Sequence, residues 1–329
     1  MGEQNITAKK EFSRAGFALL ALGLVTTILQ LLLSTVFTAM AYASGMEIPE
    51  WAIWVTTFVP LYLGGVPVAL LILRKIPAEQ KDPVKLSAKR FWTLMLIGMP
   101  IMYGGNILGN FLSALLSGGS AENVLLDYIM GNPLLTTLFA VIIAPFLEEY
   151  IFRKQIIDRL GKYGEKTAIL FSALTFGLFH MNLFQFFYAF GQRLIFAYVY
   201  TRTRLLRYPV IMHMIINFMG SVIAPLLLRV LDLETLSALE SGQADLTLLL
   251  QILPGLLLYL AYSLVLMGSV IGGFVLLMIR WKKREFSPAA QELPEGTERK
   301  TVYRNWGMIL FIVFCSLMIV ISLFSGLIA

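Results

Sequence analysis

The sequence has 329 residues, of which 58% are hydrophobic and only 14% are charged. Soluble domains carry about 25% charged residues, and several apolar runs here exceed the roughly 20 residues that one helical membrane crossing needs. The composition therefore excludes a soluble globular protein and predicts an all-α, polytopic helical membrane bundle. The net charge of +6 does not indicate nucleic-acid binding, because the distribution of the basic residues has another explanation.

Long apolar runs predict about eight to nine transmembrane helices within a single membrane domain, residues 1–329. The expected spans cover, in chain order, residues 15–42, 52–73, 91–115, 133–152, 167–187, 188–201, 208–228, 247–279 and 305–328. We divide the domain into N-terminal helices (residues 1–132), a core of about four to five helices (133–230) and C-terminal helices (231–329). The C-terminal part includes a cytoplasmic loop at residues 281–304.

Basic residues are concentrated in alternate connections between the predicted spans. Every Lys and Arg except Arg193 and Arg229 lies in the N-terminal segment or in the connections at residues 74–90, 153–166, 202–207 and 280–304. The opposite connections carry the acidic residues Glu47, Glu50, Glu122, Asp127, Asp232, Glu234, Glu240 and Asp245. Because cytoplasmic loops carry the excess of Lys and Arg, we expect a plasma-membrane protein whose N-terminus and basic connections face the cytoplasm.

Adjacent glutamates lie near the end of the fourth predicted span, where a charged side chain costs several kcal/mol unless it has a partner. Glu149 and Arg153 are four residues apart, in the order that favours an ion pair along one helix face. Glu148 points about 100° away from Glu149 on a helix, so this pairing leaves Glu148 free to face the bundle interior. The alternative is that both glutamates are ordinary interfacial charges at a helix end.

The only two histidines of the chain also lie in predicted spans. At 1.5 Å per residue, Glu148 and His213 lie about 7 Å and 9 Å inside the cytoplasmic boundary, whereas His180 lies about 21 Å from Lys166. His213 and Asn217 are four residues apart and share a helix face. The sequence thus predicts a common depth for Glu148 and His213, and it leaves open whether His180 reaches Glu148.

These residues fall into three ordered motifs: EExxxR at 148–153, FxxxH at 176–180 and HxxxN at 213–217. Over residues 133–230 the chain resembles the CPBP family of intramembrane proteases, which includes the type II CAAX prenyl endopeptidase. The resemblance implies that this core is catalytic. It further implies that Glu148 is the general base that activates water, helped by His180, and that His213 and Asn217 stabilise the oxyanion. Glu149 and Arg153 would support the site.

Two further points stay open in the sequence. Glu148, His180 and His213 together would make a familiar zinc triad with an open water position, so a divalent metal such as zinc is one alternative. The resemblance to the CAAX endopeptidase supports a metal-free glutamate mechanism, and we expect no obligatory metal. Arg193 has no partner nearby in sequence, and it either neutralises a glutamate across the bundle or binds a substrate carboxylate.

We therefore expect an endopeptidase that cleaves a peptide bond near the cytoplasmic leaflet. Its partners would be membrane lipids and a peptide or protein substrate. A cytoplasmic-facing cavity would also accept a substrate with a lipid attached. One alternative is a non-proteolytic protein of the same fold, such as a bacteriocin-immunity or scaffold protein. A second alternative is a proton- or ion-coupled transporter, against which the lack of an evident internal repeat counts.

Overall fold

The computed structural model describes residues 2–123, 125–231, 246–280 and 286–324. Part of the predicted cytoplasmic loop, residues 281–285, lies outside the described residues. Some of the acidic residues expected on the opposite side also lie outside the described residues, namely Asp232, Glu234, Glu240 and Asp245. The side chain of Asp127 is not described either.

Helices make up most of the described part of the chain, which contains no β-strand, so the predicted all-α class is confirmed. Apart from a short π-helical segment at Arg299–Tyr303, they are in chain order α1 (Glu3–Ser44), α2 (Glu50–Leu73), α3 (Ala88–Ser117), α4 (Leu125–Met130), α5 (Pro133–Tyr163), α6 (Glu165–Phe179), α7 (Leu183–Thr203), α8 (Arg207–Val230), α9 (Leu246–Arg280) and α10 (Trp306–Leu323). Within the described residues, seven of them are long and apolar enough to cross a membrane: α1, α2, α3, α5, α8, α9 and α10.

The helix ends near the motifs differ from the expected boundaries for local reasons. Asn132 caps α5, since its side-chain oxygen accepts hydrogen bonds from the next backbone N–H groups, and Pro133 occupies the first turn. However, α5 continues to Tyr163 rather than ending near residue 152. The α6–α7 break falls before Asn182, not at residue 187, because Asn182 caps α7 and Met181 adopts a left-handed conformation with φ of 55°.

Small residues allow close packing between the helices that surround the core. The helix α3 packs on α7, where Gly105 and Gly109 contact the α7 backbone so closely that a Cβ atom would lie 2.7 Å and 2.5 Å from it. Gly16 and Gly307 bring α1 and α10 together in the same way. Close approach at small residues is the usual means of helix association in membranes. The described packing therefore holds α7 between α3 and α6.

Ion pairs join the helices at the end of the bundle where the basic connections lie. Lys162 of α5 contacts Glu11 of α1 at 2.7 Å, and Arg204 contacts Asp158 of α5 at 3.1 Å. These pairs mark a polar layer beyond Arg153, into which the α5–α6 hairpin extends. The cytoplasmic orientation of this layer stays a prediction from the charge distribution.

Candidate active site

The antiparallel hairpin of α5 and α6 fixes the relative depth of the first two motifs. The Ser172 hydroxyl donates to the carbonyl of Phe152, so these residues face one another across the hairpin. Counting from this register, His180 lies level with Ala144, which is one helical turn beyond Glu148 on α5. The large depth difference expected from the sequence arises because α6 begins well outside the level of Arg153, after the long extension of α5.

Glu149 is the most heavily contacted carboxylate of the site. Its side chain has no solvent exposure, and one oxygen accepts a hydrogen bond from Arg153 Nε at 2.8 Å. The other oxygen lies 3.3 Å from Arg193 Nε and 3.2 Å from His213 Nδ1. The predicted pairing of Glu149 with Arg153 is confirmed. Contacts with two guanidinium groups and an imidazole therefore hold this carboxylate in place.

Glu148 lies beside this cluster in a different environment. Its side chain is 20% exposed, and its nearest charged or ionisable partners are His213 Nε2 at 3.9 Å and Arg193 Nη2 at 4.0 Å. Glu148 accepts no direct hydrogen bond from the part of the chain that the structure describes. The predicted common depth of Glu148 and His213 is therefore confirmed, and Glu148 retains free oxygen lone pairs that face accessible space.

Arg193 lies at the centre of the cluster and links three of the motif residues. Its Nη2 is 2.6 Å from His213 Nε2, and its guanidinium lies over the ring of Phe176 at 4.2 Å from the centroid. A guanidinium can only donate, so the Nε2 that it faces is an acceptor. The same Nη2 lies 3.2 Å from His213 Nδ1, which in turn lies 3.2 Å from Glu149, so the imidazole is held between Arg193 and Glu149. Of the two roles expected for Arg193, these contacts fit the neutralisation of a glutamate, which is Glu149.

His180 contacts the site through an aromatic neighbour. Its ring packs edge-on against Phe176, with the centroids 4.9 Å apart. Within the described residues, His180 and Glu148 form neither a hydrogen bond nor an ion pair. A cavity of about 360 Å³ lies next to His180 and is also lined by Ala140 and Gln185. His180 and Glu148 are thus brought to one region without direct contact.

Asn217 has a bonding partner that its sequence spacing does not reveal. Its amide Nδ2 donates to the carbonyl of Ala140 at 2.8 Å. That carbonyl lies in a π-helical segment of α5, in which the backbone N–H of Ala144 donates to the carbonyl of Phe139, five residues earlier. The next donor in this pattern would be Pro145, which has no N–H. Asn217 therefore satisfies a carbonyl that Pro145 leaves free, and one of its two amide protons remains available.

The arrangement does not fit the zinc triad considered from the sequence. No group of three or more His, Cys, Asp or Glu side chains could hold a metal ion within the described residues. Within the described residues His180 makes no direct contact with Glu148, and the cationic Arg193 faces the Nε2 of His213, the ring nitrogen nearest Glu148. We derive no step through a metal, and the expectation that none is obligatory stays a prediction.

Comparisons with known proteins match the region that contains the site. The family model described as type II CAAX prenyl endopeptidase Rce1-like matches residues 130–219. YdiL of Bacillus subtilis (strain 168), which is named as a membrane peptidase, is 32% identical over 168 residues, or 47% of the chain and 66% of YdiL. The membrane-embedded CAAX protease MroQ of Staphylococcus aureus (strain USA300) is 28% identical over 190 residues, or 53% of the chain and 74% of MroQ. The chain thus spans slightly less than two thirds of YdiL. No solved structure gives a significant match.

Proposed function

The chain belongs to the CPBP family of intramembrane proteases, and from this premise we propose that it is a membrane endopeptidase that uses Glu148 as its general base. The observation that carries the proposal is the contrast between the two adjacent glutamates. Glu149 is fully buried among three positively polarised groups, whereas Glu148 is partly exposed and has no direct hydrogen bond. A general base needs free lone pairs within reach of its water. The substrate class is a peptide or a protein.

In this proposal the attacking water lies between Glu148 and His180. The two side chains belong to one region of the bundle but do not touch. The cavity that His180 lines together with Glu122 and Asn123 gives water access to His180, and Glu148 is itself partly exposed. Glu148 takes the proton of the water as the oxygen attacks the peptide carbonyl, and it later delivers a proton to the leaving amine. His180 holds the water by a second hydrogen bond. This division of roles follows the family resemblance, and the partial exposure of Glu148 supports it.

When the water attacks the carbonyl carbon, the carbonyl oxygen becomes an oxyanion, which needs hydrogen-bond donors. Asn217 retains one amide proton after its bond to Ala140, and Arg193 carries further N–H groups at 4.0 Å from Glu148. We propose that these two groups stabilise the oxyanion. His213 then acts mainly by orienting Arg193, because both of its ring nitrogens already have partners. This assignment refines the role that the resemblance alone gives to His213.

The first experiment tests Glu148 directly. Wild-type protein and E148Q are purified in a mild detergent and incubated with a peptide library, and newly formed termini are identified by mass spectrometry. We expect wild-type cleavage products to be absent with E148Q. The matched control is E47Q, since Glu47 is an exposed carboxylate far along the chain in the α1–α2 connection. Cleavage by E148Q at the wild-type rate would refute the proposed base.

A second experiment tests Arg193. R193K keeps a positive charge but cannot contact Glu149, His213 and the reacting oxygen through one rigid fork. We expect kcat to fall by about 10²–10³, the usual cost of one oxyanion donor, with little change in KM. If R193K raises KM and leaves kcat unchanged, Arg193 binds the substrate carboxylate instead.

The scaffold alternative has its own discriminator. A strain that depends on the protein for protection or growth is complemented with E148Q and, separately, with a His180→Ala variant. A protease requires the water-activating residues, so both variants should fail. Full complementation by both would favour a non-proteolytic role.

A further inference from the structure

A second cavity lies away from the glutamates and has no role in the proposed cleavage. It has a volume of about 650 Å³ and lies among α3, α6, α7 and α9. Its walls are mainly aliphatic, with Leu94 and Ile97 from α3, Leu170 from α6 and Ile195 from α7. An apolar groove between helices that span a membrane is open to the acyl chains of lipids.

One end of this groove carries three cationic side chains from three different helices. Arg90 lies in the first turn of α3, Lys166 lies in the first turn of α6, and Arg280 is the last residue of α9. Tyr198 adds a hydroxyl that accepts a hydrogen bond from Arg90 at 3.3 Å. The three cations therefore line the same groove at the basic end of the bundle.

The charge of this cluster is not compensated within the described residues. No Asp or Glu lines the groove, and none of the three cations forms an ion pair with a described carboxylate. The neighbouring Glu165 is engaged elsewhere, with Arg202 at 3.1 Å and the backbone N–H of Ser287 at 2.9 Å. A triple positive charge next to an apolar groove is complementary to an anionic amphiphile.

The length of the groove matches one leaflet of a bilayer. Along α3 the lining runs from Arg90 to Ile101, and the eleven steps between these two residues correspond to about 17 Å of helix. Half of a hydrocarbon core is about 15 Å thick. A lipid whose headgroup lies at Arg90 would thus place its acyl chain along the whole groove.

We propose that this groove is a binding site for an anionic phospholipid of the leaflet on the basic side. Arg90, Lys166 and Arg280 hold the headgroup phosphate, and the aliphatic walls hold one acyl chain. Basic pockets between transmembrane helices are a known type of site for anionic headgroups. The site is separate from the proposed active site, so it does not depend on the assignment of Glu148.

The test uses the purified full-length protein in a mild detergent, titrated with phosphatidylglycerol or phosphatidylcholine and followed by native mass spectrometry. Wild-type protein should bind phosphatidylglycerol more tightly than phosphatidylcholine. In K166Q the affinity for phosphatidylglycerol should fall about fivefold, since one cation near the headgroups contributes about that factor. R90Q/K166Q/R280Q should lose about 100-fold on the same basis. The matched control is K10Q/K85Q/K89Q, which removes three exposed lysines that do not line the groove.

A further variant tests the apolar part. I195W fills the groove without changing its charge, and it should weaken binding of phosphatidylglycerol while leaving the unfolding temperature in lipid-free detergent near that of the wild type. Equal losses in the triple variant and its lysine control would reduce the effect to general surface charge and overturn the site. Equal affinity for the two lipids would also overturn it. A prenylated peptide that binds in the groove when phosphatidylglycerol does not would assign the groove to a substrate instead.

Discussion

The same conservative change at the two adjacent glutamates should have very different effects on the stability of the protein. E149Q keeps the size of the side chain but removes the charge that Arg153 and Arg193 share. Both guanidinium groups are buried, and E149Q would leave Arg153 without its carboxylate and Arg193 with only Glu148 at 4.0 Å. E148Q, by contrast, removes a partly exposed carboxylate whose nearest partners lie 3.9 Å and 4.0 Å away.

The magnitudes follow from these contacts. Removal of one member of a buried ion pair costs about 3–5 kcal/mol, so E149Q should lower the free energy of unfolding by that amount. A partly exposed carboxylate at about 4 Å from its partners contributes no more than about 1 kcal/mol. The free energy of unfolding of E148Q should therefore stay close to that of the wild-type protein, although E148Q no longer cleaves its substrate. The adjacent variant E149Q should lose both stability and cleavage.

Equilibrium unfolding in detergent micelles, followed by tryptophan fluorescence, would measure the difference. A double-mutant cycle with R153Q adds a control, because E149Q and R153Q remove the same interaction and their costs should not add. The reasoning would be refuted if E149Q unfolds like the wild type, or if E148Q is as destabilised as E149Q. Additive costs in the cycle would show that the contact between Glu149 and Arg153 contributes little.

Three other predictions follow from particular contacts. S172A should lower the free energy of unfolding by about 1–3 kcal/mol, because the buried guanidinium of Arg153 loses the hydroxyl to which it donates; an unchanged melting curve would contradict this. G273A should destabilise the protein by about 1–3 kcal/mol, since a Cβ there would lie 2.0 Å from the Leu96 carbonyl. Its matched control G272A should be neutral or slightly stabilising in the same melting assay, because a Cβ at Gly272 would meet no atom within 4 Å. Cleavage by the purified protein should keep its rate after exhaustive dialysis against a chelator, and loss of activity that zinc restores would overturn the metal-free mechanism.

Properties that depend on one helix at a time were accessible from the sequence. The apolar runs predicted the membrane spans because length and hydropathy decide whether a helix can cross a bilayer. The spacing of Glu149 and Arg153 predicted their contact because residues four apart meet on one helix face. The cap at Asn132 had the same local origin.

Contacts between helices were decided only by the tertiary structure. The sequence offered two roles for Arg193, and the packing of α7 against α5 and α8 placed it between Glu149 and His213. The sequence left open why His180 lies so far along its helix from Lys166. The answer is that α5 extends to Tyr163, so α6 begins well beyond the level of Arg153, which hydropathy does not reveal. The bond of Asn217 to Ala140 required a carbonyl left free on another helix. The physical reason is common to all three: register and rotation between helices depend on side-chain packing, which residue spacing along one helix does not encode.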